Sequence, residues 1–208
     1  MSASTDGVVI VDYGAGNLTS VRLAVEKLGW RAIVTDEPEA VRRAERVVFP
    51  GVGAAGSAME TLRTTGLADA LVEYTASGRP LAGICLGAQV IFERSAENRA
   101  RCLGILPGTV ERFGVGPGFK VPHMGWNGVE FVAAHPVWAG LESGSQFYFV
   151  HSFFPVPAEP GMLIGRTDYG GAFPSAVARG NVVAFQFHPE RSGRVGLAVL
   201  ENFLRWRP

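Results

Sequence analysis

The first half of the chain alternates between short continuous apolar runs and segments with helical spacing. Apolar runs lie at Val8 to Gly14, Arg46 to Gly51 and Arg79 to Cys85, and such runs are typical of strands that are covered on both faces. In "NLTSVRLAVEKLG" the apolar residues recur every three to four positions until Gly29 ends the pattern. This βαβα alternation predicts an α/β fold with an open, mostly parallel sheet flanked by helices.

Five further segments complete this half. We expect one more strand at "RAIVTD" and helices at "PEAVRRA", around Ala58 to Arg63, from Leu67 to Ser77 and over "LGAQVIFERS".

Beyond Gly104 the pattern changes. Glycine and proline are dense up to Pro122, and short alternating runs then favour an added antiparallel β portion in the second half. The expected strands are "GVEFV", "SQFYFVHSFF", "MLIGRT" and the hairpin "SAVARGNVVAFQFH", with its turn at "ARGN". The segment "GLAVLENFLRW" predicts an amphipathic helix. No repeat or linker divides the chain, so we predict a single domain over residues 1–208.

Composition excludes several classes of function. Of 208 residues, 47% are hydrophobic, and 19 basic side chains balance 19 acidic ones. A folded chain is therefore expected, with no nucleic-acid or membrane partner. The N-terminus has no basic region that leads into a long apolar stretch, so we expect no secretory signal. No apolar run approaches the ~20 residues of a membrane span, and we expect a cytoplasmic protein. Two cysteines form no disulfide framework, and no zinc-site spacing occurs, so neither a metal nor a cofactor is expected.

The pentapeptide "GICLG" places Cys85 where a predicted strand meets a predicted helix. That position matches a nucleophile elbow, in which Gly83 and Gly87 keep the tight turn free of clashes. A helix N-terminus favours thiolate over thiol, and the Leu86 N–H is aimed at a developing oxyanion. A free cysteine is otherwise most often a core residue, which is our interpretation of Cys102.

A cysteine nucleophile needs a base, and His188 is the best placed of the four histidines. It ends the apolar run of "VVAFQFHPE", and open α/β sheets assemble their sites at the carboxyl ends of strands. Glu190 lies two residues further on and is within reach of one imidazole nitrogen. An isolated His-Pro-Glu is usually a turn, but together with the elbow it predicts a triad of Cys85, His188 and Glu190.

A second oxyanion donor is expected in "FPGVGAAGSAM". Gly51 and Gly53 flank Val52 and let its peptide rotate at little cost. The alternative is an ordinary glycine turn that leads into a helix capped near Ser57.

These motifs have a recognisable family pattern. "GICLGAQ", "PGVGAAGSAM" and "FQFHPERSG" resemble class I (triad) glutamine amidotransferases, whose fold is flavodoxin-like. "VDYGAGNLTSV", "KVPHMGWN" and "YFVHSFF" narrow the resemblance to the glutaminase subunits of imidazole glycerol phosphate synthase, an enzyme of histidine biosynthesis. The matching segments extend from Val11 to about Phe203.

The resemblance implies a role for each motif. Cys85 attacks the side-chain amide of L-glutamine, His188 carries protons, and Glu190 orients the histidine. A thioester forms and is hydrolysed to glutamate. An oxyanion hole at Val52, Gly53 and Leu86 stabilises the tetrahedral intermediates, and a rotation of the "PGVG" peptide completes this hole. The implied glutamine-binding residues are Gly51, Gln89, Glu97, His151, Ser152 and Phe153.

The resemblance also implies a heterodimer. Ammonia passes along a dry route to a cyclase subunit with a (β/α)8 barrel fold, which closes an imidazole ring on a phosphorylated ribulosyl substrate. The implied interface residues are Asn17, His123, Met124, Trp126 and Asn127; without the resemblance, Met124 and Trp126 would be expected in the core. Two alternatives stay open: a glutaminase that serves a different synthase, and a catalytically silent regulatory subunit.

Overall fold

The structure is a computed structural model that describes residues 7–14, 18–114, 116 and 118–208. The first half alternates strand and helix, as the apolar pattern predicts. Its elements are β1 (Gly7–Val11), α1 (Leu18–Lys27), β2 (Arg31–Thr35), α2 (Pro38–Arg43), β3 (Arg46–Gly51), α3 (Ala55–Thr64), α4 (Leu67–Ala76), β4 (Leu81–Cys85) and α5 (Leu86–Val90).

The second half is mostly strand and ends in one long helix. Its elements are β5 (Arg94–Ser95), β6 (Ala100–Arg101), β7 (Gly108–Arg112), β8 (His123–Gly128), β9 (Glu130–Phe131), β10 (Gln146–His151), β11 (Phe153–Pro157), β12 (Leu163–Asp168), β13 (Ala172–Arg179), β14 (Val182–Phe185) and α6 (Gly193–Arg205). Short 3-10 helices cover Glu97–Arg99, Pro136–Trp138, Pro160–Met162 and Pro189–Arg191.

The main sheet has eight strands in the order β2-β1-β3-β4-β14-β13-β12-β9. The strands from β2 to β14 pair in parallel, and the last three pair antiparallel. The parallel part has the strand order of flavodoxin-like folds, in which ligands bind beyond the carboxyl ends of the strands. The predicted fold class is therefore confirmed, including its antiparallel addition.

Helices cover both faces of this sheet. Successive residues of a strand point to opposite faces, so Val9 and Val11 pack with α3 and α4, whereas Val8 and Ile10 pack with α1 and α6. All five residues of β1 are buried. The continuous apolar runs of the sequence thus correspond to strands covered on both sides.

The helix predicted over "LGAQVIFERS" is wrong in its length, because α5 ends at Val90. Backbone carbonyl groups at the end of this helix accept hydrogen bonds from a distant segment: the Leu103 N–H donates to Val90 and the Leu106 N–H to Ile91. Those tertiary partners stop the helix without glycine or proline, and a local pattern cannot reveal them.

The single strand predicted over "SQFYFVHSFF" is also wrong, because it is two strands in two different sheets. The strand β10 pairs with β8, and β11 pairs with β7, with Ser152 between them. The Ser152 carbonyl accepts a hydrogen bond from the Phe113 N–H as the chain changes sheet. This change of sheet turns residues 151–153 toward the carboxyl edge of the main sheet.

Among the residues that the structure describes, no helix has the length and apolar character needed to cross a membrane.

Candidate active site

Cys85 lies on a strained turn between β4 and α5. Its φ of 54° and ψ of −111° are rare for a residue with a side chain. Steric contacts explain why glycine stands on either side of this turn. A Cβ on Gly87 would collide with the Phe49 carbonyl oxygen, and one on Gly83 would lie 3.0 Å from the Ala88 Cα. Glycine at both positions lets α5 start directly against β3, which sets Cys85 at the N-terminus of that helix.

The register of the sheet brings the other elements to Cys85. Gly51, the last residue of β3, is the pairing partner of Cys85, and Phe185, the last residue of β14, pairs with Ile84. The chain that follows β14 therefore passes beside the cysteine. There His188 Nδ1 and Glu190 Oε1 are 2.8 Å apart, and both side chains are buried.

His188 is held in an environment that favours its charged form. Burial alone lowers its pKa, but the Cys85 sulfur and the Glu190 carboxylate together outweigh burial and raise that pKa to about 10. Since Nδ1 bonds to the carboxylate, Nε2 is the nitrogen left for proton transfer, and it has no hydrogen-bond partner among the described residues. The ring is therefore oriented by Glu190 with one nitrogen available.

A cavity of about 300 Å³ opens beside Cys85. Most residues that the sequence proposes for the site share its wall; the lining consists of Val52, Gly53, Cys85, Leu86, Gln89, Glu97, Pro122, Val150, His151, Ser152, Phe153 and His188. Glu190 and Gly51 are not part of this lining, but each adjoins a residue that is: Glu190 contacts His188, and Gly51 precedes Val52 in the chain. Pro122 and Val150 were missed by sequence reasoning, and the Val150 carbonyl is 3.9 Å from the Cys85 sulfur.

Gln89 is buried and is already committed to two protein contacts. Its Nε2 donates to the Phe153 carbonyl and to Gln186 Oε1, each at 2.9 Å. Only its Oε1 is thus left for a ligand in the cavity. Gln186 was missed by sequence reasoning, although its Nε2 is 3.8 Å from the Cys85 sulfur. A glutamine inside the apolar run "VVAFQFH" is the available signal, because a buried amide requires partners.

Glu97 contacts the start of a helix as well as the cavity. Its Oε2 accepts a hydrogen bond of 2.8 Å from the Ala55 N–H, the first of α3. The alternative interpretation, a helix capped near Ser57, is wrong, since the helix begins at Ala55 and Ser57 lies within its first turn. A carboxylate supplied from 42 residues away along the chain caps this helix and is stabilised by its dipole.

The segment Gly51 to Gly53 forms one wall of the site between β3 and α3. A Cβ on Gly51 would collide with the Tyr13 hydroxyl and would lie 3.1 Å from the Leu86 Cβ, so only glycine fits there. Gly53 has a φ of 94°, which glycine adopts without strain. Val52, between them, exposes 40% of its surface and lines the cavity.

Comparison with known proteins agrees with this geometry. The family model "Glutamine amidotransferase class-I" matches residues 9–206. The chain belongs to the class I glutamine amidotransferase family. A relative from Nitrosococcus oceani, "Imidazole glycerol phosphate synthase subunit HisH", is 50% identical over 203 residues, 96% of this chain and 97% of the relative. The protein of the same name from Nitrosomonas europaea is 45% identical over 212 residues, 98% of this chain and 100% of the relative.

Within the amidotransferase family, the chain belongs with the HisH subunits. Among solved structures, one described as "Crystal structure of glutamine amidotransferase" superposes with a TM-score of 0.74 at 24% identity, covering 95% of this chain and 99% of that one. At that identity the superposition bears on the fold alone.

Two histidines form a directional hydrogen-bond chain that ends at the cavity wall of this amidotransferase, where His151 lies. His151 Nδ1 is 2.8 Å from the Phe153 carbonyl, which only accepts, so Nδ1 carries the proton and Nε2 is an acceptor. His123 Nδ1, at 3.0 Å from that Nε2, must then donate, and His123 Nε2 accepts from the Asn127 amide at 3.3 Å. The chain connects β8 to the cavity and is consistent only if both rings are neutral.

We expect mild acid to destabilise this amidotransferase. Burial lowers the pKa of His123 to about 4 and that of His151 to about 3, whereas both take up a proton near pH 6.5 in the unfolded chain. Between pH 6.5 and pH 4 the unfolded state binds more protons, so the free energy of unfolding falls as the pH falls. The raised pKa of His188 has the opposite effect: near pH 6.5 the folded state already holds that proton while the unfolded chain is still taking it up, so His188 offsets part of the fall there and none of it once the pH is well below 6.5.

Urea unfolding at pH 7, 6 and 5 measures the effect. Each proton bound only by the unfolded state contributes about 1.4 kcal/mol per pH unit, so we expect a loss on the order of 2 kcal/mol or more at pH 5. Burial also lowers the pKa of His135, which adds to the fall. A His123→Gln variant removes one titrating group and should show a shallower slope. A free energy of unfolding that is constant or rises from pH 7 to pH 5 contradicts the prediction.

The predicted interface residues divide between the two faces of β8. Met124 and Trp126 are 61% and 57% exposed, so the alternative that places them in the core is wrong. His123 is buried under that surface, and Asn127 donates both to its ring and to the Asp168 carbonyl. Asn17 lies outside the described residues.

Proposed function

We propose that this chain is the glutaminase subunit of an imidazole glycerol phosphate synthase. It hydrolyses L-glutamine to glutamate and ammonia for histidine biosynthesis. One observation carries the proposal: a cysteine on a strained strand-to-helix turn opens onto the same cavity as a buried histidine that is oriented by a carboxylate. The identity of 45–50% to HisH subunits over almost the whole chain supports the choice of synthase.

The reaction proceeds through a thioester. The Cys85 thiolate attacks the side-chain amide carbon of glutamine, and His188 Nε2 gives its proton to the leaving nitrogen, so that the C–N bond breaks and ammonia departs. Water then gives a proton to the same nitrogen and attacks the thioester. The C–S bond breaks and glutamate is released. Glu190 keeps the imidazole in one orientation and stabilises its positive charge throughout.

Each tetrahedral intermediate carries an oxyanion, and backbone donors stabilise it. The Leu86 N–H, at the start of α5, is one donor, and the Gly51–Gly53 loop with Val52 supplies the other. The α-amino and α-carboxyl groups of glutamine bind between Gln89 Oε1, Glu97 and the segment His151 to Phe153.

The ammonia passes to a cyclase partner with a (β/α)8 barrel fold. Ammonia in neutral water is mostly protonated and no longer nucleophilic, so a dry passage between the subunits protects it. Exposed Met124 and Trp126 are apolar anchors of the kind found at the centres of interfaces, and their exposure supports the proposal that the partner covers this face of β8.

The test is glutamate release from glutamine by the chain alone, with the cyclase partner, and with the partner and its ribulosyl ligand. We expect weak activity alone and an increase of roughly 10²-fold or more with both, the scale that one oxyanion donor contributes. Stimulation by the partner of another synthase instead of this one favours the other-synthase alternative. No glutamate under any of these conditions favours a silent regulatory subunit and overturns the proposal.

A further inference from the structure

The register of the sheet places the buried polar side chain of Gln186 next to the reacting cysteine. Phe185, the last residue of β14, pairs with the residue before Cys85, so Gln186 and Cys85 are neighbours where the two strands end. The Gln186 N–H donates to the Ser175 carbonyl of β13 at 2.9 Å. The phenylalanines on either side of Gln186 pack in the apolar cluster that contains α6. Because side chains alternate along an extended chain, Gln186 points to the other face, where α5 lies.

The orientation of the Gln186 carboxamide follows from an acceptor that cannot change its role. The Phe153 carbonyl only accepts, so the end of Gln89 that lies 2.9 Å from it is the NH2 group. The same NH2 group lies 2.9 Å from Gln186, which must therefore present its oxygen there. Its nitrogen is then directed at the Cys85 sulfur, at 3.8 Å. The reversed orientation would place two donors face to face.

Two groups that contact the sulfur favour opposite protonation states. The Val150 carbonyl, at 3.9 Å, accepts from the thiol and is unfavourable for the thiolate. The Gln186 N–H group donates to the sulfur and is favourable for the thiolate. A carboxamide is neutral at every working pH, so this donor is present whether or not His188 is protonated. Gln186 therefore offsets the carbonyl throughout the reaction.

We propose that Gln186 is a further catalytic residue, whose Nε2 stabilises the Cys85 thiolate and whose Oε1 holds Gln89 in the orientation that binds the substrate. Its side chain is fully buried and is not among the described residues that line the cavity. It therefore contacts the reacting sulfur from within the protein and does not bind glutamine directly. The inference rests on the proposed glutaminase function and deepens it, because it assigns the group that keeps the nucleophile ionised.

The test is Gln186→Met, which keeps the length of the side chain and removes its donor and its acceptor. All proteins carry Cys102→Ala, so that Cys85 is the only thiol. The rate of alkylation by iodoacetamide is measured against pH, because the thiolate is the form that reacts. The pH of the half-maximal rate should rise by about one unit, the effect of one weak hydrogen bond to a charged group.

Turnover in the presence of the partner and its ligand gives a second readout. The acidic limb of the kcat/KM profile for glutamine should move to higher pH by the same amount as the alkylation midpoint. The KM should rise by roughly threefold to tenfold, because one of the two hydrogen bonds that hold the Gln89 amide is lost. A residue that served only the packing of the core would not move the alkylation midpoint.

A second variant changes the volume of the side chain differently. Gln186→Asn retains a carboxamide but withdraws it by about 1.5 Å, one carbon–carbon bond, so the amide no longer reaches the sulfur. We expect the same rise in the alkylation midpoint. If Gln186→Met does not fold, Gln186→Asn decides the question by the same criterion.

Asn202→Leu is the matched control. Its Nδ2 donates to the Val137 and Ala139 carbonyls, at 3.0 and 2.8 Å, and none of these three residues lines the cavity. Removing this structural carboxamide should lower the melting temperature and leave the alkylation midpoint and the kcat/KM profile unchanged.

The ionisable groups around the sulfur stay the same in all variants. Among the described residues, His188, His151 and Glu97 line the cavity with Cys85, and Tyr13 interacts with its charge. A moved midpoint therefore reports the loss of the amide donor.

An alkylation midpoint of Gln186→Met within about 0.3 pH unit of the wild type, a twofold effect or less, overturns the inference. A rise of equal size in Asn202→Leu overturns it as well, because the shift would then follow from destabilisation alone. If the chain with intact Gln186 makes no glutamate under any condition, the proposed function fails. The alkylation midpoint then still tests the contact between the amide and the sulfur.

Discussion

A Cys85→Ala variant will release glutamate from glutamine roughly 10⁴-fold more slowly than the wild type, or not measurably, because a triad enzyme without its nucleophile keeps only the contribution of binding and the oxyanion hole. Among the described residues that line the cavity, no other side chain takes its place. Ser152 is in the wall, but it lies between β10 and β11 and not at the start of a helix next to His188. Glutamate formation, measured with an enzyme-coupled assay in the presence of the partner and its ligand, gives the ratio.

Cys102→Ala is the matched control. Cys102 is equally buried, and burial raises the pKa of its thiol to about 11, so it is unreactive. Its removal should leave the rate of glutamate formation within about twofold of the wild type, the range for a site remote from the chemistry.

The Cys85→Ala subunit should still assemble with the cyclase, which then works with added ammonia. Glutamate formation by Cys85→Ala at a rate near that of the wild type would rule out the thioester mechanism.

The parallel half of the fold is predictable because its strands are buried on both faces. A strand covered by helices on two sides has to be apolar throughout, so β1, β3 and β4 are visible as continuous runs in the sequence. Local pattern and tertiary environment agree there. They disagree at α5, where distant N–H groups end the helix, and at Ser152, where the chain changes sheet.

In the candidate site, too, some residues are predictable from local sequence pattern and others depend on tertiary contacts. Cys85 and His188 are predictable because each sits where a strand ends, and the carboxyl ends of parallel strands meet at one edge. Gln186 was missed because it lies inside an apolar run, and a strand pattern gives a polar residue there no role. Its contact with Gln89 connects elements far apart in sequence, which no spacing rule captures.

Gly87→Ala will destabilise the fold by about 3 kcal/mol or more and lower the melting temperature by roughly 10 °C. The added Cβ would collide with the Phe49 carbonyl oxygen, which belongs to the backbone of a central strand and cannot rotate away. Alanine is otherwise favoured over glycine within a helix by about 1 kcal/mol, so the sign of the result tests the contact directly. Because α5 and β3 must separate, Cys85 and Gly51 lose their pairing and glutaminase activity falls with stability.

Gly161→Ala makes the same change where there is space. Apart from its own neighbours along the chain, no atom of the described residues lies within 4 Å of its added Cβ, and the residue lies in the 3-10 helix Pro160–Met162. We expect its free energy of unfolding to remain within about 0.5 kcal/mol of the wild type, as for most surface substitutions. The comparison separates the effect of a methyl group from the effect of its position. A Gly87→Ala protein that melts at the wild-type temperature would show that α5 is not in contact with β3, and the steric basis of the elbow would be lost with it.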